Sequence, residues 1–241
     1  MTTTIHGSSS NQTCPTYPAC GEAKNFDIRY PFWLTDSTKT TNCGYPTFGL
    51  TCKDNKFPLF RLSNKDYYLT YIDYNKNVII LLDIDFYYNP CPRPHQNFTI
   101  SDNPILTFTQ YDQNLTFFFN CSTSPSKTTN TSRPACLGGR SYVTTEELGK
   151  FNGWYSGCEE AVVVPAIGYL VNKTASDLAD SIHQLLNGFG LGWKVPLECE
   201  RCEGSGGVCL HENKSFSGCL CDGGVRTSDH CVDTGMDFWF F

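Results

Sequence analysis

Apolar residues in the first half of the chain occur in short alternating runs, which is typical of β-strands with one buried face. Residues 67–73 and 78–84 form two such runs, and the asparagine-rich segment 74–77 between them predicts a β-hairpin. Residues 105–109 and 115–119 predict a second pair of strands joined by a polar turn. Helical periodicity is weak throughout this half, so we expect it to be built from β-structure.

The second half contains one segment with helical periodicity. Residues 174–177 resemble a capping box with Asp in place of Glu, and Asn187 with Gly188 supplies a stop signal. The apolar residues that recur on one face between these signals are Leu178, Ile182, Leu185 and Leu186. Residues 161–165 predict a short buried strand. The sequence therefore predicts a mainly β fold with one short helix in its second half.

Residues 122–135 are rich in Ser, Thr and Pro and have no apolar pattern, so they predict a linker or a long exposed loop. We interpret them as the boundary between two small β-rich domains, 14–121 and 136–231. Both domains contain an even number of cysteines, and we therefore expect the disulfide bonds to stay within each domain.

The 14 cysteines are the strongest compositional signal. A zinc protein usually shows paired cysteines and histidines at fixed spacing, and here one Cys-x2-Cys occurs while the five histidines are scattered. We therefore predict disulfide bonds formed in an oxidising compartment, with no metal site and no cofactor. The cysteines from 199 to 231 are dense and look like the end of an EGF-like module. The predicted disulfide cysteines are Cys14, Cys20, Cys43, Cys52, Cys91, Cys121, Cys136, Cys158, Cys199, Cys202, Cys209, Cys219, Cys221 and Cys231.

Signals for N-glycosylation, Asn-x-Ser/Thr, are frequent in the chain. Because a glycan needs a solvated acceptor, we expect them on loops or on the outer faces of strands. Together with the disulfides they predict an extracellular or cell-surface location. The predicted acceptors are Asn11, Asn97, Asn114, Asn120, Asn130, Asn172 and Asn213.

The start of the chain is polar and lacks the apolar stretch of a signal peptide. No run reaches the roughly 20 apolar residues that a membrane helix requires. We therefore expect a fragment of a longer receptor, or a gene model without its first segment, that meets a membrane only through a segment absent from this chain.

Charge and motif content argue against nucleic-acid binding and against catalysis. The net charge is −6 and no basic block occurs, which excludes a nucleic-acid partner. A glycosidase needs two carboxylates across a cleft, but solvated surface acids are the simpler interpretation of the available pairs. Those pairs are Asp83 with Asp85, two apart on a predicted strand, and Glu159 with Glu160. No nucleophile motif occurs, so we predict no catalytic residue and no enzyme activity.

Three motifs stand together in this chain. The first is Ile-Arg-Tyr-Pro-Phe-Trp at 28–33 with Cys-Gly-Tyr-Pro-Thr-Phe-Gly-Leu-Thr-Cys at 43–52, and the second is Leu-Thr-Phe-Phe-Phe-Asn-Cys at 115–121. The third joins 188–193 to the cysteine-rich segment 199–223. The first two resemble the galacturonan-binding domain of plant wall-associated receptor kinases, and the third resembles the C-terminal domain of the same receptors. The pattern is also similar to that of the leaf-rust-resistance receptor-like kinases.

Two departures from the family pattern stand out. Leu210 follows Cys209 where the family often has Gly, which puts the expected turn at this point in doubt. The kinase motifs do not occur: no Gly-rich loop precedes Val-Ala-x-Lys, and neither His-Arg-Asp nor Asp-Phe-Gly follows. The kinase activity of longer relatives is therefore not expected of this chain.

The resemblance implies a galacturonan-binding-like domain at 14–121 and a C-terminal receptor domain at 136–231. It implies an extracellular module that binds pectin-like polysaccharide through aromatic and basic side chains. The alternative is a receptor ectodomain that binds a peptide or a protein co-receptor, with kinase signalling only in longer relatives. The candidate ligand-binding residues are Arg29, Tyr30, Trp33, Tyr45, Lys53, Lys56 and Arg61.

Overall fold

The computed structural model describes residues 14–20, 23–35, 43–52, 57–89, 91, 93–126, 131–145, 153–168 and 185–232. The chain forms two compact units. The terminal unit combines Met1–Pro58 with Val195–Phe241, and the central unit is Leu59–Lys194. The two ends of the chain thus build one unit together. These units differ from the two consecutive domains that the sequence predicts.

Strands predominate among the described residues, and the prediction of a mainly β, disulfide-rich fold is confirmed. The strands are β1 (Tyr17–Cys20), β2 (Ala23–Ile28), β3 (Trp33–Leu34), β4 (Gly49–Thr51), β5 (Leu59–Leu62), β6 (Lys65–Asp73), β7 (Val78–Asp83), β8 (Leu106–Phe108), β9 (Asp112–Phe119), β10 (Thr131–Ser132), β11 (Tyr142–Thr144), β12 (Glu160–Ile167), β13 (Phe189–Trp193), β14 (Val208–Glu212), β15 (Ser215–Leu220) and β16 (Arg226–Thr227). The α-helices are α1 (Ile84–Tyr87) and α2 (Glu200–Gly204). Short 3-10 turns lie at Ala135–Leu137, Trp154–Gly157, Leu185–Asn187, Leu197–Cys199 and Asp222–Gly224.

In the central unit, one antiparallel sheet has the strand order β5-β6-β7-β13-β8. The predicted hairpin is its β6–β7 pair, although β7 ends at Asp83, one residue earlier than expected. Asp73 closes the turn, because its carboxylate accepts from the backbone N–H groups of Asn75 and Lys76 at 3.0 and 3.1 Å. These local bonds explain why the hairpin could be predicted from adjacent residues.

The other sheet of the central unit has the antiparallel order β10-β11-β9-β12. Strand β9 lies inside this sheet, and its residues from Leu115 to Phe119 are all buried, which accounts for their continuous apolar run. The predicted strands β8 and β9 exist, but their predicted pairing with each other is wrong. Strand β8 pairs with β13, whereas β9 pairs with β11 and β12.

The predicted linker contributes to this sheet. Its residues Thr131 and Ser132 form β10, and Ser132 is buried. Disulfides Cys91–Cys136 and Cys121–Cys158 also cross the segment 122–135. The expectation that bridges stay on either side of it is therefore wrong, because an even number of cysteines in each segment does not require that they pair within it.

The predicted helix lies mostly outside the described residues. Only its last part is described, and Leu185–Asn187 there form a 3-10 turn that ends at Gly188, whose φ is 75°. Gly188 is required at this point, since an added Cβ would lie 2.1 Å from the Leu81 carbonyl oxygen. Among the described residues, no helix is long and apolar enough to cross a membrane.

The terminal unit is built from short strands and five disulfides. Strands β1 and β2 form an antiparallel pair, β3 and β4 a parallel pair, and β14-β15-β16 an antiparallel sheet. The bridges are Cys14–Cys43, Cys20–Cys52, Cys199–Cys209, Cys202–Cys219 and Cys221–Cys231. Each of them stays within either the N-terminal or the C-terminal segment, so the two segments are joined by non-covalent contacts.

Leu210 provides one of these contacts. It lies in β14, makes an isolated antiparallel bridge with Cys43 and packs in a cluster with Cys43 and Leu220. The pairing of β14 with β15 shifts register between Leu210 and His211, opposite Gly218. The departure from the family's Gly thus places a buried apolar side chain beside a local irregularity of the sheet.

We predict that peptide mapping of the non-reduced protein finds Cys91 linked to Cys136 and Cys121 linked to Cys158. Replacing Cys91 and Cys136 by Ser should lower the free energy of unfolding of the central unit by about 4 kcal/mol, because the bridge closes a loop with a sequence separation of 45. Urea unfolding would measure this loss. Recovery of Cys91 linked to a cysteine of residues 14–52 would contradict the arrangement.

Candidate functional site

The motif residues 28–33 and 43–48 lie against each other in the terminal unit. The Tyr45 N–H donates to the Pro31 carbonyl at 3.0 Å, and the Trp33 indole Nε1 donates to the Tyr45 carbonyl at 2.9 Å. The peptide bond between Tyr30 and Pro31 is cis. Gly44 allows this approach: its φ is 103°, and a Cβ there would lie 2.6 Å from the Pro31 carbonyl oxygen and 2.7 Å from Trp33 Cδ1.

Aromatic side chains of the two motif segments form the core of this region. Phe32 stacks on Phe48 with ring centroids 4.9 Å apart. Tyr45 meets Phe48 edge to face at 5.2 Å and Tyr30 at 5.6 Å. Because Tyr45 is only 1% exposed, its ring belongs to the core and is not offered to a ligand.

Glu203 of α2 ties these aromatic residues to the C-terminal segment. Its Oε1 accepts hydrogen bonds from the Tyr30 hydroxyl at 2.5 Å and from the Tyr45 hydroxyl at 2.7 Å. The Tyr30 oxygen in turn accepts from the Cys209 N–H at 3.2 Å. Burial, assisted by the nearby Glu203 carboxylate, raises the pKa of Tyr30 and of Tyr45 above the ordinary tyrosine value. Both hydroxyls therefore stay protonated and act as donors to the carboxylate.

A groove of about 280 Å³ opens beside this cluster. Its N-terminal wall includes Arg29 and Tyr30 of the motif, and its C-terminal wall is the turn Asp222–Gly224 with Val208. The complete lining is Cys14, Pro15, Thr16, Arg29, Tyr30, Gly206, Val208, Leu220, Cys221, Asp222, Gly223 and Gly224. The groove thus presents an aromatic ring, a guanidinium, a carboxylate and apolar side chains, which is a set suited to a polar ligand with apolar patches.

The groove's charges are mixed. Arg29 lies 3.3 Å from the Asp27 carboxylate, and both side chains are about half exposed. Asp222 is exposed and makes no ion pair with any residue that the structure describes. An exposed ion pair such as Arg29–Asp27 contributes little stability.

A further cavity, in the central unit, has a volume of about 20 Å³, which holds a single water. It is lined in part by Lys65, whose Nζ lies 2.6 Å from Asp83 Oδ2 and 3.2 Å from Asp85 Oδ2. Burial raises the pKa of Asp83 despite the bond from Lys65. The predicted strand geometry of this acid pair is wrong, because Asp85 belongs to α1 and Asp83 caps that helix by accepting from the Asp85 N–H at 3.0 Å.

The other acid pair is also engaged in local contacts. Glu159 accepts from the Asn120 side-chain amide at 2.8 Å, and Glu160 pairs with Arg93 at 2.8 Å. These adjacent carboxylates bind different partners and do not face each other across a cleft. They fit the interpretation as surface acids.

The structure separates the seven candidate ligand-binding residues. It brings Arg29 and Tyr30 together in the groove and buries Tyr45 in the core. Trp33 is half-buried, with its indole engaged by the Tyr45 carbonyl. Arg61 belongs to the central unit, where it lies 3.8 Å from Asp66. Lys53 and Lys56 lie outside the described residues.

Four predicted glycosylation acceptors lie among the described residues, and all four are exposed, as glycosylation requires. They are Asn97, Asn114, Asn120 and Asn213. Asn11, Asn130 and Asn172 lie outside the described residues.

Thiolate ligands for a metal are not available in the described cysteine clusters. Cys199 and Cys209 lie near His211, but their sulfurs are bonded to each other. The Cys219, Cys221 and Cys231 sulfurs are likewise in disulfides. A bridged sulfur offers no thiolate charge to an ion.

Sequence reasoning missed Glu203 and the groove role of Asp222. Nothing near Glu203 distinguishes it from other acids, because its partners are 173 and 158 residues away. Asp222 and Gly223 belong to the third motif, so the sequence did indicate that this segment matters. The motif did not indicate that these two residues line the same groove as Arg29.

A family model described as wall-associated receptor kinase galacturonan-binding matches residues 14–83, and one described as wall-associated receptor kinase C-terminal matches residues 120–224. The chain is 30% identical over 236 residues to the leaf rust 10 disease-resistance locus receptor-like protein kinase-like 1.2 of Arabidopsis thaliana, covering 92% of this chain and 35% of the relative. The kinase-like 2.1 of the same series is 28% identical over 221 residues, covering 86% and 33%. The chain therefore spans about a third of the length of these curated relatives. No solved structure matches it significantly.

We predict that Gly44→Ala destabilises the terminal unit by about 2 kcal/mol or more, because the new Cβ meets the Pro31 carbonyl at a backbone angle that alanine disfavours. Gly204→Ala is the matched control, since nothing lies within 4 Å of its added Cβ. Urea unfolding of the two oxidised variants would measure both free energies of unfolding. Equal stability of the two variants would contradict the tight approach described for Gly44.

We predict that Glu203→Ala lowers the free energy of unfolding by about 2 to 3 kcal/mol, because two partly buried hydroxyls lose their acceptor. Glu203→Gln keeps an acceptor oxygen and should cost about 1 kcal/mol. Glu212→Ala, at an exposed position of the same unit, should have little effect. If Glu203→Ala unfolds at the same urea concentration as Glu212→Ala, the hydrogen bonds from Tyr30 and Tyr45 to Glu203 do not stabilise the unit.

Proposed function

We propose that this chain, which belongs to the ectodomains of the wall-associated receptor kinase type, binds pectin-like cell-wall polysaccharide outside the cell. The observation that carries the proposal is the position of Arg29 and Tyr30. Both come from the segment that matches the galacturonan-binding family model, and both line the groove of the terminal unit.

The groove's chemistry supports a saccharide ligand. Aromatic faces pack on the C–H surfaces of sugar rings, and Tyr30 supplies an aromatic side chain whose hydroxyl is held by Glu203. The Arg29 guanidinium offers a planar fork that matches a uronate carboxylate. The polar Thr16 side chain also lines the groove and is able to bond sugar hydroxyls.

The disulfide framework supports an extracellular setting. All 14 cysteines are paired, and such bridges persist in oxidising compartments. The exposed glycosylation acceptors fit the same setting. In longer relatives that carry a kinase domain, ligand binding by this region would be the input to signalling.

A peptide or protein ligand is the second candidate. It is favoured by apolar side chains that the terminal unit exposes beside its cysteine-rich turns. These are Leu197, Val225 and Val232, of which Leu197 is 81% exposed. Exposed apolar side chains are more typical of protein contacts than of saccharide binding.

The proposal is tested by calorimetry of the secreted, oxidised protein with oligogalacturonides, with and without Ca²⁺. We expect saturable binding that is lost on reduction of the disulfides. Arg29→Gln should weaken it by about 3- to 10-fold, because a charge-assisted bond to a uronate is removed at a partly exposed site. Arg140→Gln, an exposed arginine of the central unit, is the control and should leave binding unchanged.

A flat calorimetric trace for the folded protein would overturn the polysaccharide proposal. Recovery of a protein partner from an extract freed of wall polysaccharide would then support the second candidate. Loss of that partner on Val225→Asp would locate the contact on the terminal unit.

A further inference from the structure

The glycosylation signal at Asn120 differs from the other six signals, because its middle residue is a cysteine. The signal Asn120-Cys121-Ser122 directly follows β9, and Cys121 forms a disulfide with Cys158. The same three residues are therefore both a signal for glycan transfer and one end of a bridge. Glycan transfer and disulfide formation act on the same short stretch of chain.

In the folded central unit, residues 157–159 bind both ends of this signal. The Asn120 side-chain amide donates to Glu159 Oε2 at 2.8 Å. The Ser122 hydroxyl and the Ser122 N–H both donate to the Gly157 carbonyl, at 3.0 and 2.7 Å. Transfer requires the Asn amide and the hydroxyl two residues later, since these groups define the signal. Folding therefore engages the two groups that glycan transfer needs.

The middle of the signal is buried. Cys121 is 3% exposed and packs in a cluster with Phe118 and Tyr142. Its N–H donates to the Arg140 carbonyl at 3.0 Å. A transferase must bind the three residues as a free segment, and this segment is fixed on both sides once Cys158 is bridged to it. Glycan transfer to Asn120 therefore has to precede closure of the bridge.

The folded unit nevertheless has room for a glycan that was added earlier, because Asn120 is exposed. In the transfer, the Asn120 amide nitrogen loses one proton and bonds to the anomeric carbon of an oligosaccharide carried on a polyprenyl pyrophosphate. The bond from that carbon to the pyrophosphate oxygen breaks, and the pyrophosphate leaves with the electron pair. One N–H remains on the nitrogen, so the modified side chain retains a donor for Glu159.

The two reactions proceed on similar timescales. Cys158 follows Cys121 by 37 residues, which takes about 2 to 7 s to synthesise at roughly 5–20 residues per second. Closing the bridge passes two electrons from the two thiols to a disulfide oxidant of the compartment, with loss of two protons. Disulfide formation takes seconds or longer, so the signal stays open for a limited time of the same order.

The signal at Asn213 provides a contrast within the same chain. It lies at the turn between β14 and β15, and its three residues, Asn213, Lys214 and Ser215, are all exposed. None of the three is a cysteine. Closure of a disulfide therefore does not bury any residue of this signal.

We propose that Asn120 is an N-glycosylation site whose occupancy is determined by competition with the Cys121–Cys158 disulfide. Chains in which the transfer comes first carry a glycan beside β9, and chains in which the bridge closes first do not. The folded protein thus occurs in two forms that differ at Asn120. This inference rests on the secretory route of the proposed function and not on the ligand of the groove.

The test is glycopeptide mass spectrometry of the total protein, with the full chain expressed in plant cells behind an added secretion signal. In the wild type, we expect Asn120 to be occupied about half as often as Asn213, because transfer and bridging compete within seconds. Cys158→Ser removes the partner of Cys121 and leaves the signal intact. It should raise occupancy at Asn120 by about twofold and leave Asn213 unchanged.

The matched control is the double variant Cys91→Ser and Cys136→Ser, which removes the other bridge of the central unit. Occupancy at Asn120 should stay at the wild-type value. A second measurement needs no substitution: translation of the wild-type chain into microsomes with dithiothreitol prevents bridging and should bring occupancy at Asn120 up to that at Asn213.

Occupancy at Asn120 that is the same in the wild type, in Cys158→Ser and under dithiothreitol, whether complete or absent, would overturn the inference. An equal rise in the double variant would also overturn it, because the effect would then follow from loss of any bridge. Neither result bears on binding of polysaccharide, which calorimetry of the wild type measures separately.

Discussion

The Glu203 carboxylate is the interaction on which the terminal unit depends. The five disulfides of the terminal unit each link two cysteines of the same segment, either N-terminal or C-terminal. None of them joins the N-terminal segment to the C-terminal segment. A carboxylate taken from water is costly unless it accepts strong hydrogen bonds. Here two tyrosine hydroxyls donate to one oxygen, so the same contact satisfies the acid and aligns the aromatic motif with α2.

This dependence has a consequence for folding. The terminal unit needs both ends of the chain, so it is completed after the central unit has been synthesised. The entropy lost in bringing distant segments together grows only slowly with the length between them. The central unit that lies between these segments in the sequence is closed by two disulfides, Cys91–Cys136 and Cys121–Cys158. A terminal unit assembled from two segments that are distant in the sequence is therefore compatible with a stable fold.

Local elements of the fold could be predicted from the sequence, whereas the pairing of strands and of cysteines could not. The β6–β7 hairpin follows from alternation and from a turn whose bonds span two or three residues. The strand β9 was also predicted, but its neighbours β11 and β12 come from later in the chain, and alternation does not specify neighbours. The disulfide Cys91–Cys136 was missed for the same reason: counting cysteines within segments ignores which strands meet.

The candidate site shows the same division. The motif led to Arg29 and Tyr30, which do line the groove, but the same motif also contains Tyr45, which is buried in the core. A sequence motif indicates which segment is important, but it does not distinguish residues that pack in the core from residues that contact a ligand. Glu203 carries no local signal at all, because its role is created by two hydroxyls that only the folded unit brings to it.

The double role of Tyr30 determines which residues report on binding. Its side chain lines the groove while its hydroxyl is bonded to Glu203 and to the Cys209 N–H, so its replacement disturbs fold and ligand contact together. Arg29 and Asp222 differ, since both are exposed and neither contributes to the aromatic core. Charge is therefore separable from packing in this groove, and substitutions of Arg29 or Asp222 leave the contact that holds the unit together in place.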